Sequence, residues 1–239
     1  MPGIELFGAE ERREVMDVLD TGVLFRYNHD DQRNGHWKTR TLEQEFAAYH
    51  GAPYAHAVSS GSTAIMTALA ACGVGAGDEV IVPPFTYIAT IEAVLLLGAV
   101  PIFAEIDDTL NLSPEGVRAA ITPRTRAVAL VHMCGAPPRL TELMDVCRAH
   151  QITLVEDTAQ ALGATYNGKP LGTFGGQGLT PLISSKSSPP VRAGPSLPPT
   201  RPCTTIATSI LTMATTTSAT TGALRRLQRA LAPEAFIPA

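Results

Sequence analysis

In the stretch Thr153-Leu-Val-Glu-Asp157-Thr-Ala-Gln160, apolar and β-branched residues run straight into an acid, and a glutamine follows three positions later. A short apolar run reads as a buried parallel strand, and open α/β sheets bind ligands just beyond the carboxyl ends of such strands. Asp157 is thereby expected at a strand mouth, with Gln160 on the turn behind it. A carboxylate in that place suits a cationic ring nitrogen, the partner that lets a pyridine cofactor act as an electron sink. The same acid would also serve as the N-cap of a following helix.

A second group of residues points to an anion. Ala55-His-Ala-Val-Ser59-Ser-Gly61-Ser62-Thr63-Ala64 reads as a strand running into small hydroxylated residues and a glycine, followed by an Ala-rich helix over 65–71. Free N–H groups at a helix start, beside hydroxyls and a glycine, make a cradle for one phosphate. An ordinary Ser/Thr helix cap has the same sequence. There is no Walker lysine and no GxGxxG, which argues against nucleoside triphosphates and dinucleotides. Tyr87 closes Pro83-Pro-Phe-Thr-Tyr87, where the chain leaves another strand. Its ring could cover a flat cofactor or fill the core. His132 ends a further strand at the same edge and reads as a hydrogen-bonded structural histidine, with substrate contact as the alternative. Cys72, Cys134, Cys147 and Cys203 lie far apart with no CxxC pair. They are expected to be small buried thiols in a reducing cytoplasm, so neither a metal site nor a disulfide frame is predicted.

The elements that position these residues alternate. Helical spacing over 10–19 and 41–50, the latter stopped by Gly51, is followed by the strand at 55 and its helix. Between the two helices, Phe25 to Arg40 has no period and reads as a loop. Strands are expected at 79–82, 100–106, 126–133 and 152–155, separated by helices over 88–97, from Ser113-Pro-Glu-Gly onward, and over 140–150. Strands alternating with helices mean right-handed βαβ units and a mainly parallel sheet, an α/β domain.

Composition divides the chain. Residues 1–179 hold 12 basic and 21 acidic side chains, whereas residues 180–239 hold 6 and 1. Nine of the 19 prolines and long Ser/Thr runs fall in that second part, which reads as an irregular low-complexity tail after a single domain. The net charge of −4 comes with no basic stripe, excluding a nucleic-acid partner. No apolar run is long enough to span a membrane, and no signal peptide opens the chain.

Ser-Ser-Gly-Ser-Thr-Ala, Pro-Pro-Phe-Thr-Tyr, Val-His-Met-Cys-Gly and Glu-Asp-Thr-Ala-Gln-Ala occur in that order and spacing over residues 1–178. Together they resemble the DegT/StrS-type aminotransferases, vitamin B6 enzymes that place an amino group on a keto sugar. The resemblance implies the large domain of the aspartate aminotransferase fold and pyridoxal 5′-phosphate as cofactor. It also implies an amino-acid donor such as glutamate, a keto-sugar acceptor, and a cytoplasmic homodimer with sites at the interface. By the same resemblance Gly61 and Ser62 hold the phosphate, Tyr87 stacks on the pyridine, Asp157 pairs with the ring nitrogen and Gln160 meets the phenolic oxygen. Phe25-Arg-Tyr-Asn, Trp37-Lys-Thr-Arg and Ile102-Phe-Ala-Glu-Ile-Asp-Asp are most similar to members that aminate an 8-oxo octulosonate. A non-catalytic cofactor- or sugar-binding protein of the same fold is the alternative.

The family then continues Tyr-Ser-Phe-Asp-x-x-Lys-x-Ile-Thr-x-Gly-Glu-Gly-Gly, whose lysine is the Schiff-base residue. This chain reads Thr180-Pro-Leu-Ile-Ser-Ser-Lys186-Ser-Ser-Pro-Pro instead. Codons built from the third base of one triplet and the first two of the next are compatible with the pattern, most of them with a free first base. Met213-Ala214 then encodes glycine with no freedom, inside a run compatible with Asp-His-Gly-His-Asp-His-Ile-Gly. One base lost near codon 179 is the expectation, leaving 1–179 as an incomplete cofactor-binding domain, 180–239 out of frame, and the chain inactive or nearly so. The restored lysine falls at position 186, where Lys186 also stands. Its neighbours Ser-Ser and Ser-Ser-Pro-Pro offer no fixed scaffold to hold it against a cofactor.

Overall fold

The computed structural model describes residues 8–175 and the backbone of residues 204–207. In chain order, α1 (Ala9–Thr21) and α2 (Lys38–His50) precede β1 (Ala55–Val58) and α3 (Gly61–Ala71). There follow β2 (Glu79–Val82), α4 (Ala89–Leu96), β3 (Val100–Phe103), α5 (Pro114–Ala120), β4 (Thr125–Val131), α6 (Leu140–Ala149) and β5 (Thr153–Asp157). Strands β2 to β5 form one sheet in the order β3-β2-β4-β5, with every neighbouring pair parallel. Parallel strands need crossovers, and the intervening helices supply them.

Side-chain alternation along the strands sorts the residues between two cores. Val128, Leu130 and Leu154 pack with Val117, Leu140, Leu143 and Val146 from α5 and α6. Ala127, Ala129 and Val155 pack with Ile65 and Leu69 of α3 and with Ala93 and Val94 of α4. In the β4–β5 register Leu130 lies opposite Glu156 and Val131 opposite Asp157. Continuing the alternation puts Asp157 on the α3 side of the sheet and Glu156 on the α5–α6 side.

Several boundaries differ from expectation, each for a local reason. Helix α2 begins at Lys38, inside the expected loop, because Lys38 is buried in ion pairs with Glu14 and, at 3.0 Å, Asp17 of α1. It stops where predicted, with Gly51 at φ 62°. Strand β4 gives way at His132 to a 3₁₀ turn, Met133–Gly135, in which Cys134 has φ 54°. The small hairpin β6 (Thr165–Tyr166) and β7 (Lys169–Pro170) has no counterpart in the predicted elements. Its turn is Asn167-Gly168 with both φ positive, the two-residue connection that fits strand twist. In the tail, where irregular chain was expected, β8 (Thr204–Ala207) pairs parallel with β1. Lys186 and the rest of 176–239 lie outside the described residues.

Candidate active site

The carboxyl ends of β2, β4 and β5 share one sheet edge, and three of the predicted groups stand at or near it. Asp157 closes β5 with 6% of its surface exposed. Among the described residues its Oδ1 accepts the Ala159 N–H at 2.9 Å, and Oδ2 accepts nothing. Burial pushes this carboxyl up to about 6, against the Ala159 N–H and the charge of His132, which pull it down. A buried acid so thinly partnered favours a cation beside it, since a positive neighbour recovers what desolvation costs. The neighbouring Thr158 Oγ1 is likewise buried without a partner among the described residues.

Gln160 is exposed on the turn behind the strand, where the sequence places it. Its Oε1 accepts the backbone N–H of Cys134 at 2.9 Å. A backbone N–H needs an oxygen acceptor, so this bond sets the carboxamide's orientation and leaves Nε2 with two protons to donate. An anionic oxygen, such as a phenolate, is the natural recipient.

At the start of α3 the cap and the cradle turn out to be different residues. Ser60 caps, its hydroxyl accepting the Thr63 N–H at 3.1 Å. The N–H groups of Gly61 and Ser62 then have no acceptor among the described residues. Two unpaired donors at the positive end of an eleven-residue helix suit a phosphate. Helix α3 packs on the face of β5 that carries Asp157. Tyr87 is 63% exposed, so it is not a core aromatic and its ring is available to cover a ligand. By type, these groups offer a carboxylate to a cationic ring nitrogen, an amide N–H to an anionic oxygen and two backbone N–H groups to a phosphate.

Residues 7–181 match the family model for DegT/DnrJ/EryC1/StrS aminotransferases. The chain belongs to the DegT/DnrJ/EryC1/StrS aminotransferase family. An L-glutamine:2-deoxy-scyllo-inosose aminotransferase of Streptomyces kanamyceticus is 48% identical over 148 residues, 62% of this chain and 35% of the relative. A UDP-N-acetyl-3-dehydro-α-D-glucosamine 3-aminotransferase of Acidithiobacillus ferrooxidans is 44% identical over 149 residues, 62% of this chain and 40% of the relative. The solved structure of Escherichia coli GDP-4-keto-6-deoxy-D-mannose-3-dehydratase with bound hydrated pyridoxal phosphate superposes with a TM-score of 0.61 at 32% identity. That match covers 71% of this chain and 43% of the other. The chain thus spans less than half the length of these relatives. The family brings pyridoxal 5′-phosphate to the fold, a group whose protonated ring nitrogen calls for an acceptor such as Asp157 and whose phenolic oxygen and phosphate call for N–H donors.

One residue of this DegT/StrS family member that sequence reasoning left aside, Glu156, organises the opposite face of the sheet together with His132. Glu156 has no exposed surface, yet its Oε1 accepts the N–H groups of Phe174 and Gly175 at 2.6 and 2.7 Å. Its Oε2 accepts the Gly172 N–H at 2.9 Å and faces His132 Nε2 at 3.1 Å. Burial works to raise this carboxyl, but the hydrogen bond and charge of His132, with the Gly175 and Gly172 N–H groups, hold it below the ordinary range. His132 is therefore a structural histidine, fully buried. The apolar and β-branched run leading into Glu156-Asp157 contained the signal: two adjacent acids on a strand face opposite ways, so one cannot share the other's role. Of the thiols, Cys147 is buried and Cys72 half-buried, and burial pushes both up to about 11. Cys134 is exposed, contrary to expectation, because its left-handed turn lifts it off the sheet edge.

Proposed function

We propose that this chain is the cofactor-binding part of an aminotransferase that carries an amino group from an amino acid, glutamate or its amide, to a keto sugar or a similar keto polyol. The observation that supports it is the buried, under-partnered Asp157 on the same sheet face as the open N-terminus of α3. In this role Gly61 and Ser62 donate to the phosphate, Tyr87 covers the ring, and Gln160 Nε2 donates to the phenolic oxygen. Bound pyridoxal 5′-phosphate supplies the electron sink. Asp157 keeps the proton on the ring nitrogen, which is what lets negative charge leave the reacting carbon. Lys186 is the position at which the covalent anchor would stand.

The working form is a cytoplasmic homodimer. Leu24, Phe25, Tyr27 and Ile88 support it, since all are exposed apolar side chains suited to a subunit contact. Among the described residues no helix is long and apolar enough to cross a membrane. Residues 1–179 form the domain, and 180–239 are an out-of-frame product; sequencing that finds the frame intact in an expressed gene ends this part of the proposal.

The direct test is titration of the full chain with pyridoxamine 5′-phosphate, followed by its fluorescence. Saturable one-to-one binding is expected. Pyridoxamine without the phosphate should bind more weakly by about two powers of ten, the worth of two charge-assisted hydrogen bonds at a helix terminus. Equal binding of the two compounds would contradict the assignment of Gly61 and Ser62.

A further inference from the structure

We infer that Asn111 is a positioning residue for Gln160, acting through the turn that follows β4. The inference rests on the proposed role of Gln160 toward the cofactor's phenolic oxygen. Asn111 lies on the loop after β3, has no exposed surface, and among the described residues makes no hydrogen bond to Gln160 itself. All of its side-chain bonds but those to Thr109 go to one turn. Its Oδ1 accepts the Met133 N–H at 2.9 Å, and its Nδ2 donates to Ala136 O at 3.3 Å. Nδ2 also donates to Thr109 O at 2.8 Å, which fixes the carboxamide to its own loop.

Between the two residues that Asn111 grips sit Cys134 and Gly135, at φ 54° and 80°. The chain leaves the strand at His132 and turns back through these two left-handed residues, and in that turn the Cys134 N–H meets Gln160 Oε1, 2.9 Å away. A non-glycine residue such as Cys134 reaches this region only at a conformational cost, so the turn needs bracing from outside. Asn111 braces one side. The other side is close-packed on Gln160, since a Cβ at Gly135 would lie 3.2 Å from the Gln160 carbonyl oxygen. Without the brace the Cys134 N–H loses its aim, the Gln160 carboxamide is free to turn over, and its Nε2 no longer has a fixed direction. A buried asparagine on the loop after β3 thereby decides which end of an exposed glutamine meets the ligand.

The test reads the relay first without any cofactor, by amide hydrogen exchange of the full chain. Asn111→Ala and Gln160→Ala should each speed exchange at Cys134 by about tenfold, the worth of one lost hydrogen bond, while Leu130 in β4 is unchanged. Should Asn111→Ala fail to fold, Asn111→Asp keeps the acceptor for Met133 and loses the donor to Ala136, and a smaller change of the same sign is expected. Unchanged exchange at Cys134 in a folded Asn111 variant overturns the inference. The second arm measures pyridoxamine 5′-phosphate affinity in a double-mutant cycle. Asn111→Ala should weaken binding as much as Gln160→Ala does, and the double variant no further; additive losses overturn the relay. If Gln160→Ala leaves this affinity unchanged while Cys134 exchange responds as expected, the relay stands as a structural brace and the proposed role of Gln160 is what fails.

Discussion

Asp157→Asn is expected to weaken pyridoxamine 5′-phosphate binding and, at the same time, to stabilise the cofactor-free chain at pH 8. Both effects have one cause. The carboxyl is raised from 3.8 to about 6 chiefly by burial. Its neutral form is thus the one the empty fold prefers, by about 3 kcal/mol for a rise of that size. The sign follows directly: this stability is fully present below pH 3.8, is lost as pH rises to about 6, and stays lost above. Asparagine never ionises and can still accept the Ala159 N–H, so the variant keeps at pH 8 what the wild type gives up. Urea unfolding at pH 8 should therefore show the variant more stable by up to about 3 kcal/mol, with the difference closing toward pH 4. Toward a pyridinium the effect reverses. Removing one partner of a buried charged hydrogen bond costs about 2–5 kcal/mol, at least about thirtyfold in dissociation constant. A variant that is less stable when empty and binds as before would contradict the assignment on both counts.

Glu156→Ala is expected to give a large loss of stability, with no direct contact to the ligand. The carboxylate takes N–H groups from Gly172, Phe174 and Gly175 and faces His132, all away from solvent. Truncation strands three backbone donors and leaves His132 without its partner, a loss of about 3–5 kcal/mol. Because this carboxyl is held below its ordinary 4.5, its contribution is present above that pH and fades as pH falls through the lower folded value. Wild type and variant should therefore converge in acid. The two adjacent acids of β5 respond to pH in opposite senses, Asp157 opposing the folded state above pH 6 and Glu156 supporting it there. Urea unfolding of both variants from pH 8 down to well below pH 4.5 reads the two signs together.

The fold was largely legible because its strands are short apolar runs and its helices carry plain stop signals. Gly51 ends α2 and Ser113-Pro114 opens α5 as their residue types require. Asp157 and Gln160 were legible for the same reason: an acid directly after a buried run can hardly avoid the strand's carboxyl end. Asn167-Gly168 was overlooked although it is the strongest short hairpin signal there is, because the flanking strands have two residues each and leave no period. Asn111 and the Cys134 N–H were not legible. Their roles depend on backbone directions in a left-handed turn, and neither the side chain of Cys134 nor the spacing to Gln160 encodes those. Glu156 stood in plain view next to Asp157, but its partners come from a turn sixteen to nineteen residues later, beyond any local pattern.

The most direct test of the central claim is the nitrogen chemical shift of ring-labelled pyridoxamine 5′-phosphate bound to the full chain at pH 8. A protonated ring nitrogen in the wild type, lost in Asp157→Asn, is the predicted result. A bound ring whose nitrogen carries no proton in the wild type would contradict the pairing of Asp157 with the cofactor.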